Sequence, residues 1–216
     1  METKTYSIKE IFGPTIQGEG GMTGVVTHFI RFAGCNMWNG HPGTRASSRC
    51  PYCDTDFLNG KKMTIAEIIA EIRALPICLW VTVSGGEPML QFDAELCKAI
   101  QAEGYLVAVE TNGTKHIKFP IDHITVSPKV PMDAISQHWA NTLKLLYPHP
   151  DPDMNLESFA SFVALDRYIQ PIIDVPMFGD DPTIYQENLK QTLQKVYEGK
   201  GKWKLSPQVH KILGVR

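Results

Sequence analysis

Leu79-Trp80-Val81-Thr82-Val83 runs without a break into Ser84-Gly85-Gly86-Glu87-Pro88, and Asp93 to Glu103 follows with a helical pattern. A short apolar run reads as a strand covered on both faces, the form a parallel sheet takes between layers of helix. The glycine-rich segment at its carboxyl end is a plain turn or a place where backbone can approach a ligand closely. Strand, polar turn and helix in that order make one α/β unit, and the rest of the chain repeats it.

Upstream, Val25 to Phe32 reads as a strand ending in Ala33-Gly34 and delivering Cys35 to a loop. Thr64 caps a helix bearing Ile65, Ile68, Ile69 and Ile72, with Glu67 placed to complete a capping box and Pro76 near its end. Downstream, strands are predicted at Tyr105 to Val109, Ile121 to Val126, Leu143 to Tyr147 and Tyr168 to Ile173, and helices at Asn155 to Leu165 and Pro182 to Tyr197. The polar motifs fall at strand carboxyl ends, the rim where parallel α/β folds bind ligands. A full eight-stranded barrel typically needs about 250 residues. With 216 residues, the expected fold is an α/β incomplete TIM-like barrel forming one domain over 1–216.

Composition narrows the function. Lysine and arginine total 21 against 23 acidic residues, a formal charge of −2, so no basic surface advertises nucleic acid as a partner. No apolar run approaches the roughly eighteen residues that suggest a membrane span. Five cysteines and a polar start from Met1 to Glu10 point to a reducing, cytoplasmic setting.

Cys35, Cys50 and Cys53 carry the chemistry. Cys50-Pro51-Tyr52-Cys53 alone fits a thioredoxin-like pair or half a zinc site, and His41 makes a Cys3His zinc-binding interaction module possible on paper. A redox pair should open a helix; here Asp54-Thr55-Asp56 and the Asn59-Gly60 turn follow. Three thiolates also suit a four-iron cluster with one iron left open to a cosubstrate. Cys78 and Cys97, in apolar strand and helix patterns, read as core.

The ordered set of Ile11-Phe12, Gln17-Gly18-Glu19-Gly20, Arg31 to Asn36, Cys53-Asp54-Thr55, Ser84 to Pro88, Glu110-Thr111-Asn112-Gly113, Val126-Ser127-Pro128-Lys129 and Leu205 to Lys211 spans nearly the whole chain. It resembles the radical S-adenosylmethionine superfamily and, within it, the 7-carboxy-7-deazaguanine synthase family, lyases of queuosine-type 7-deazapurine biosynthesis. The superfamily usually spaces its cysteines CxxxCxxC; here 36–49 lengthens the first gap, a variant known in this family. The added loop costs little, about 0.6 kcal/mol per doubling of length.

The resemblance implies a [4Fe-4S] cluster on Cys35, Cys50 and Cys53, and S-adenosylmethionine held by Gly85, Gly86, Glu87, Glu110, Asn112, Ser127, Pro128, Lys129 and Gln170. It implies Mg2+ on Thr55. The substrate would be 6-carboxy-5,6,7,8-tetrahydropterin, contacted by Ile16, Gln17, Gly18, Glu19, Arg31, Ser84, His210 and Arg216. Arg31 offers the bidentate geometry that suits its carboxylate. Radical-mediated ring contraction with loss of ammonia would give 7-carboxy-7-deazaguanine. A homodimer and a flavodoxin or ferredoxin electron donor are further implications. Another radical S-adenosylmethionine enzyme, such as a glycyl-radical activating enzyme, is the rival within the superfamily.

Overall fold

The computed structural model describes residues 3–172 and 182–215. One sheet runs through them in the order β3-β1-β2-β4-β5-β6-β7-β8-β9. Its parallel part is β2 (Val26–Phe32), β4 (Trp80–Gly85), β5 (Leu106–Thr111), β6 (His123–Val126), β7 (Trp139–Tyr147), β8 (Val163–Pro171) and β9 (Lys204–Leu205). On the other flank β1 (Tyr6–Ile16) lies antiparallel to β2, and β3 (Lys61–Met63) antiparallel to β1. The sheet does not close, as the chain length predicts for a partial barrel.

Strand alternation sorts side chains onto two faces. Ile30, Val83, Val109 and Leu143 point outward and pack with Ile68, Ile72, Leu96 and Ile100 of the covering helices. Each such side chain, fully buried, contributes on the order of 1.5–3 kcal/mol. Their neighbours Arg31, Ser84, Glu110 and Lys144 point inward and line a cleft.

Helix α1 (Ile65–Arg73) starts where the capping box places it: Thr64 Oγ1 accepts from the Glu67 N–H at 3.3 Å, and the Thr64 N–H donates to Glu67 Oε2 at 2.7 Å. Helix α2 (Ala94–Ala102) is capped by Asp93, whose Oδ1 accepts from the Glu95 and Leu96 N–H groups. Helices α3 (Pro182–Glu198) and α4 (Val209–Leu213) complete the described set.

Two expectations need correction. No helix spans Asn155 to Leu165: Asn155 Oδ1 accepts from the Ser158 N–H, residues to Phe162 form turns, and Val163 to Leu165 already belong to β8, registered against Trp139 and Ala140. Pairing along the whole of β7 overrides the local helical pattern. Cys97 is core, but Cys78 sits half-buried in the loop before β4, its Sγ donating to the Trp80 carbonyl. Strand β1 has no counterpart in the sequence reading, because Gly13-Pro14 interrupts its pattern; the structure absorbs that pair in a register shift between Phe12 and Thr15. Ile173, predicted at the end of β8, lies outside the described residues.

Candidate active site

The cleft, about 600 Å³, opens at the carboxyl ends of the parallel strands and gathers residues from both ends of the chain. Cys35, Cys50 and Cys53 all line it, and all are free thiols. Burial raises each of them, Cys50 to about 12. Cys50 to Cys53 form a turn followed by irregular backbone, without the helix a thioredoxin-like pair needs. His41 is exposed where a short turn begins at Pro42, and among the described residues no three His, Cys, Asp or Glu side chains converge on a single-ion site. His41 does not line the cleft that holds the three cysteines, so the Cys3His reading is not favoured. A four-iron cluster takes each thiolate on a different iron and so asks for a wider spacing.

The lengthened loop 36–49 is folded around Trp38, which is 7% exposed. Trp38 Nε1 donates to Thr44 Oγ1 at 3.0 Å, and its ring meets Phe57 edge-on at 5.7 Å. The Arg45 guanidinium lies 4.2 Å from the Trp38 ring centroid and donates to the Cys53 carbonyl and to that of Pro51. One arginine thus anchors the turn that carries two cysteines. Asn36 Oδ1 accepts from Asn112 Nδ2 at 2.9 Å, tying the loop to the rim of β5.

Gly85 and Gly86 make the floor beside Cys35. A Cβ on Gly85 would stand 2.3 Å from the Phe32 carbonyl oxygen, and one on Gly86 would stand 2.2 Å from the Gly34 carbonyl oxygen and 2.8 Å from Cys35 Cβ. Glycine is required because two strand ends touch through backbone alone. Glu87 and Pro128 do not line the cleft. Pro128 is buried. Glu87 is buried behind the rim, where it accepts from Thr111 Oγ1 at 2.6 Å and from the Asn112 N–H at 2.7 Å.

Glu110, Asn112, Ser127, Lys129 and Gln170 line the cleft. The Lys129 ammonium donates to Ser127 Oγ at 2.7 Å and to its carbonyl at 2.8 Å, and burial lowers its pKa. Ile16, Gln17, Gly18, Glu19, Arg31, Ser84 and His210 line the cleft as well, with Phe12 and Phe29 stacked 5.3 Å apart. Arg31 Nε donates to Glu10 Oε1 at 2.8 Å, so its cation is shared with an acid from the neighbouring strand. The His210 ring covers Gly18, where a Cβ would meet Nδ1 at 2.0 Å, and burial lowers its pKa. Thr55 lines the cleft, with Oγ1 3.4 Å from Asp54 Oδ1; Asp54 in turn receives the Lys211 ammonium at 2.8 Å, which ties α4 to the cysteine loop. Arg216 lies outside the described residues.

Lys144 escaped the sequence reading. Within Leu143 to Tyr147 it looks like the polar member of an apolar strand, yet its side chain is 6% exposed and its ammonium meets Glu19 at 2.5 Å and Glu110 at 3.2 Å. Burial alone would raise Glu19, but Lys144 and the Gln208 amide outweigh it and hold the carboxyl at about 2. Burial raises Glu110, and the nearby Glu19 charge adds to that against the pull of Lys144. Arg45, Trp38 and Gln208 were missed as well; a tryptophan and an arginine inside an otherwise small, polar insertion were the available signal for the first two.

No protein-family model matches the chain. Among curated proteins, the 7-carboxy-7-deazaguanine synthase of Bordetella pertussis is 37% identical over 220 residues, covering 97% of this chain and 99% of that protein. The enzyme of the same name from Caulobacter vibrioides is 38% identical over 221 residues, covering 98% and 99%. That from Bradyrhizobium diazoefficiens is 36% identical over 223, covering 98% and 100%. The crystal structure of QueE from Escherichia coli shares the fold, with a TM-score of 0.66 at 22% identity over 94% of each chain. With relatives this similar over essentially their full length, and with three cysteines, a backbone-lined floor and a polar rim brought into one cleft, the chain belongs to the 7-carboxy-7-deazaguanine synthase family.

Proposed function

We propose that this chain converts 6-carboxy-5,6,7,8-tetrahydropterin into 7-carboxy-7-deazaguanine with loss of ammonia, as a radical S-adenosylmethionine lyase. The observation that carries the reading is the meeting of Cys35, Cys50 and Cys53 with Gly85 and Gly86 in a single cleft. Three thiols lining one cleft fit a [4Fe-4S] cluster. The glycine floor fits the methionine end of the cosubstrate, since side chains there would collide with backbone. When bound, the cluster and S-adenosylmethionine supply one-electron cleavage of a carbon–sulfur bond and the hydrogen-abstracting species that follows.

The chain's own residues bind and orient. Glu110, Asn112, Ser127, Lys129 and Gln170 line the side on which the adenosyl group would lie. On the other side Glu19, held ionised, accepts hydrogen bonds from the amino-pyrimidinone edge of the pterin, with Ile16, Gln17 and Gly18 beside it. Arg31 faces the substrate carboxylate with Ser84 and His210 nearby. Thr55 and Asp54 offer hard oxygen donors for Mg2+, which takes few protein ligands and keeps several waters. Phe12, Phe29, Met37 and Leu146 give the cleft apolar walls that exclude water from a reactive intermediate. A cytoplasmic homodimer served by a flavodoxin or ferredoxin completes the proposal, on the strength of the family resemblance. Among the described residues no helix is long and apolar enough to cross a membrane.

The test is anaerobic reconstitution with iron and sulfide, then incubation with dithionite, S-adenosylmethionine, Mg2+ and the carboxylated pterin. Deazaguanine formation that disappears in Cys50→Ala is expected. A brown protein that makes 5′-deoxyadenosine without deazaguanine would discard the substrate, and a colourless zinc protein would discard the reading.

A further inference from the structure

The cleft holds two carboxylates and one ammonium where its two halves meet, and the hydrogen bonds join them into one circuit. Lys144 lies between Glu19 and Glu110, at 2.5 and 3.2 Å. The second oxygen of Glu19 accepts from Gln208 Nε2 at 2.6 Å, and that of Glu110 accepts from Gln17 Nε2 at 3.0 Å. Gln17 Oε1 accepts from the Gly18 N–H at 2.8 Å, leading the path back toward Glu19. The segment 17–19 leaves the antiparallel strand β1, whereas Glu110 and Lys144 belong to the parallel strands β5 and β7. The circuit therefore fastens a substrate-reading loop to the barrel strands.

We infer that Lys144 is a positioning residue that couples the pterin half of the cleft to the cosubstrate half, by sharing one ammonium between Glu19 and Glu110. The inference rests on the function proposed above, in which Glu19 faces the pterin and Glu110 the adenosyl ribose. Both ligands bring hydrogen-bond donors: amide-type N–H groups on the pterin and hydroxyls on the ribose. A donor arriving at Glu110 adds to that carboxylate without displacing Lys144, and the ordered Glu110–Lys144–Glu19 chain then holds Glu19 in one orientation, so the pterin meets an acceptor that is already fixed. Coupling of this kind is reciprocal, so each ligand strengthens the other by the same factor.

The measurement is calorimetric binding of 6-carboxytetrahydropterin to the cluster-loaded, unreduced protein, with and without saturating S-adenosylmethionine. Wild type is expected to bind the pterin at least about fivefold more tightly with the cosubstrate present. Lys144→Met should bring that factor to one and raise KM for the pterin more than it lowers kcat, while Lys144→Arg should restore part of the coupling. Should Lys144→Met fail to fold, Glu110→Gln, of nearly the same size, must also abolish the coupling. A wild-type factor of one, or a wild-type factor retained in both uncharging variants, overturns the inference and leaves the function standing. A wild-type protein that neither binds nor turns over the pterin overturns both.

Discussion

Glu87 and Asn112 are joined through the backbone: the Asn112 N–H donates to Glu87 Oε2 at 2.7 Å in a fully buried site. Glu87 Oε1 also accepts from Thr111 Oγ1 at 2.6 Å and from the Met89 N–H at 3.0 Å. The acid of the Gly-Gly-Glu-Pro run thus clamps the end of β5, which carries Glu110, Thr111 and Asn112 to the cleft. Glu87→Gln turns one acceptor into a donor facing a donor. Leaving a buried group unsatisfied costs about 1–3 kcal/mol. Thermal unfolding should fall by about 2–12 °C, at roughly 2–4 °C per kcal/mol for a chain of this size, with weaker binding of S-adenosylmethionine. An unchanged melting temperature would show that the clamp is not needed.

Glu19 sets an acid limit on the cleft. Its carboxyl is near 2 in the folded protein against an ordinary 4.5. A folded value below the unfolded one gives stability that is full above the unfolded value and disappears as the pH falls through it toward 2. The difference is on the order of 3 kcal/mol. Wild type should be the more stable at pH 7, and its advantage over Glu19→Gln should shrink between pH 4.5 and 2. Chemical unfolding of both proteins across that range reads this directly; parallel curves would refute it.

Gly86 and Gly43 make a matched pair. A Cβ at Gly86 meets the Gly34 carbonyl oxygen at 2.2 Å, while one at Gly43 has nothing within 4 Å. Gly86→Ala must push the Cys35 loop away, an overpacking cost of typically about 1–3 kcal/mol. It should lower the iron retained per chain after reconstitution, whereas Gly43→Ala should retain wild-type iron. Equal iron in the two variants would show that the Gly86–Gly34 contact does not hold the Cys35 loop in place.

Arg45 predicts a graded effect on cluster retention. Its guanidinium both covers the Trp38 ring and donates to the Cys53 and Pro51 carbonyls, which lysine's compact ammonium does not reproduce. Arg45→Lys should lose the visible absorbance of the reconstituted cluster faster in air than wild type, and Arg45→Met faster still. Identical decay in all three proteins would make the contact merely decorative.

Local sequence determined the elements whose signals are local. The Thr64 and Asp93 caps stand where their hydrogen-bonding chemistry requires, and Val81 to Val83 form the buried part of β4 because a short apolar stretch of a parallel sheet is covered on both faces, while Leu79 lies before the strand and is exposed. The order of the motifs nominated Cys35, Cys50, Cys53 and the glycine run through the family resemblance it carries, since the cysteines alone also fit a redox pair or a zinc site. Only the tertiary structure decided what Lys144, Gln208 and Arg45 do, because their partners lie far along the chain or around a folded loop: Glu19 is 125 residues from Lys144 and 189 from Gln208. It also turned Asn155 to Leu165 from an apparent helix into turns and a strand, and made a bulged strand of β1 through Gly13-Pro14. In each case the physical reason is the same: pairing with a distant strand or charge outweighs a local preference of a few tenths of a kcal/mol per residue, and such partners meet only once the barrel has formed.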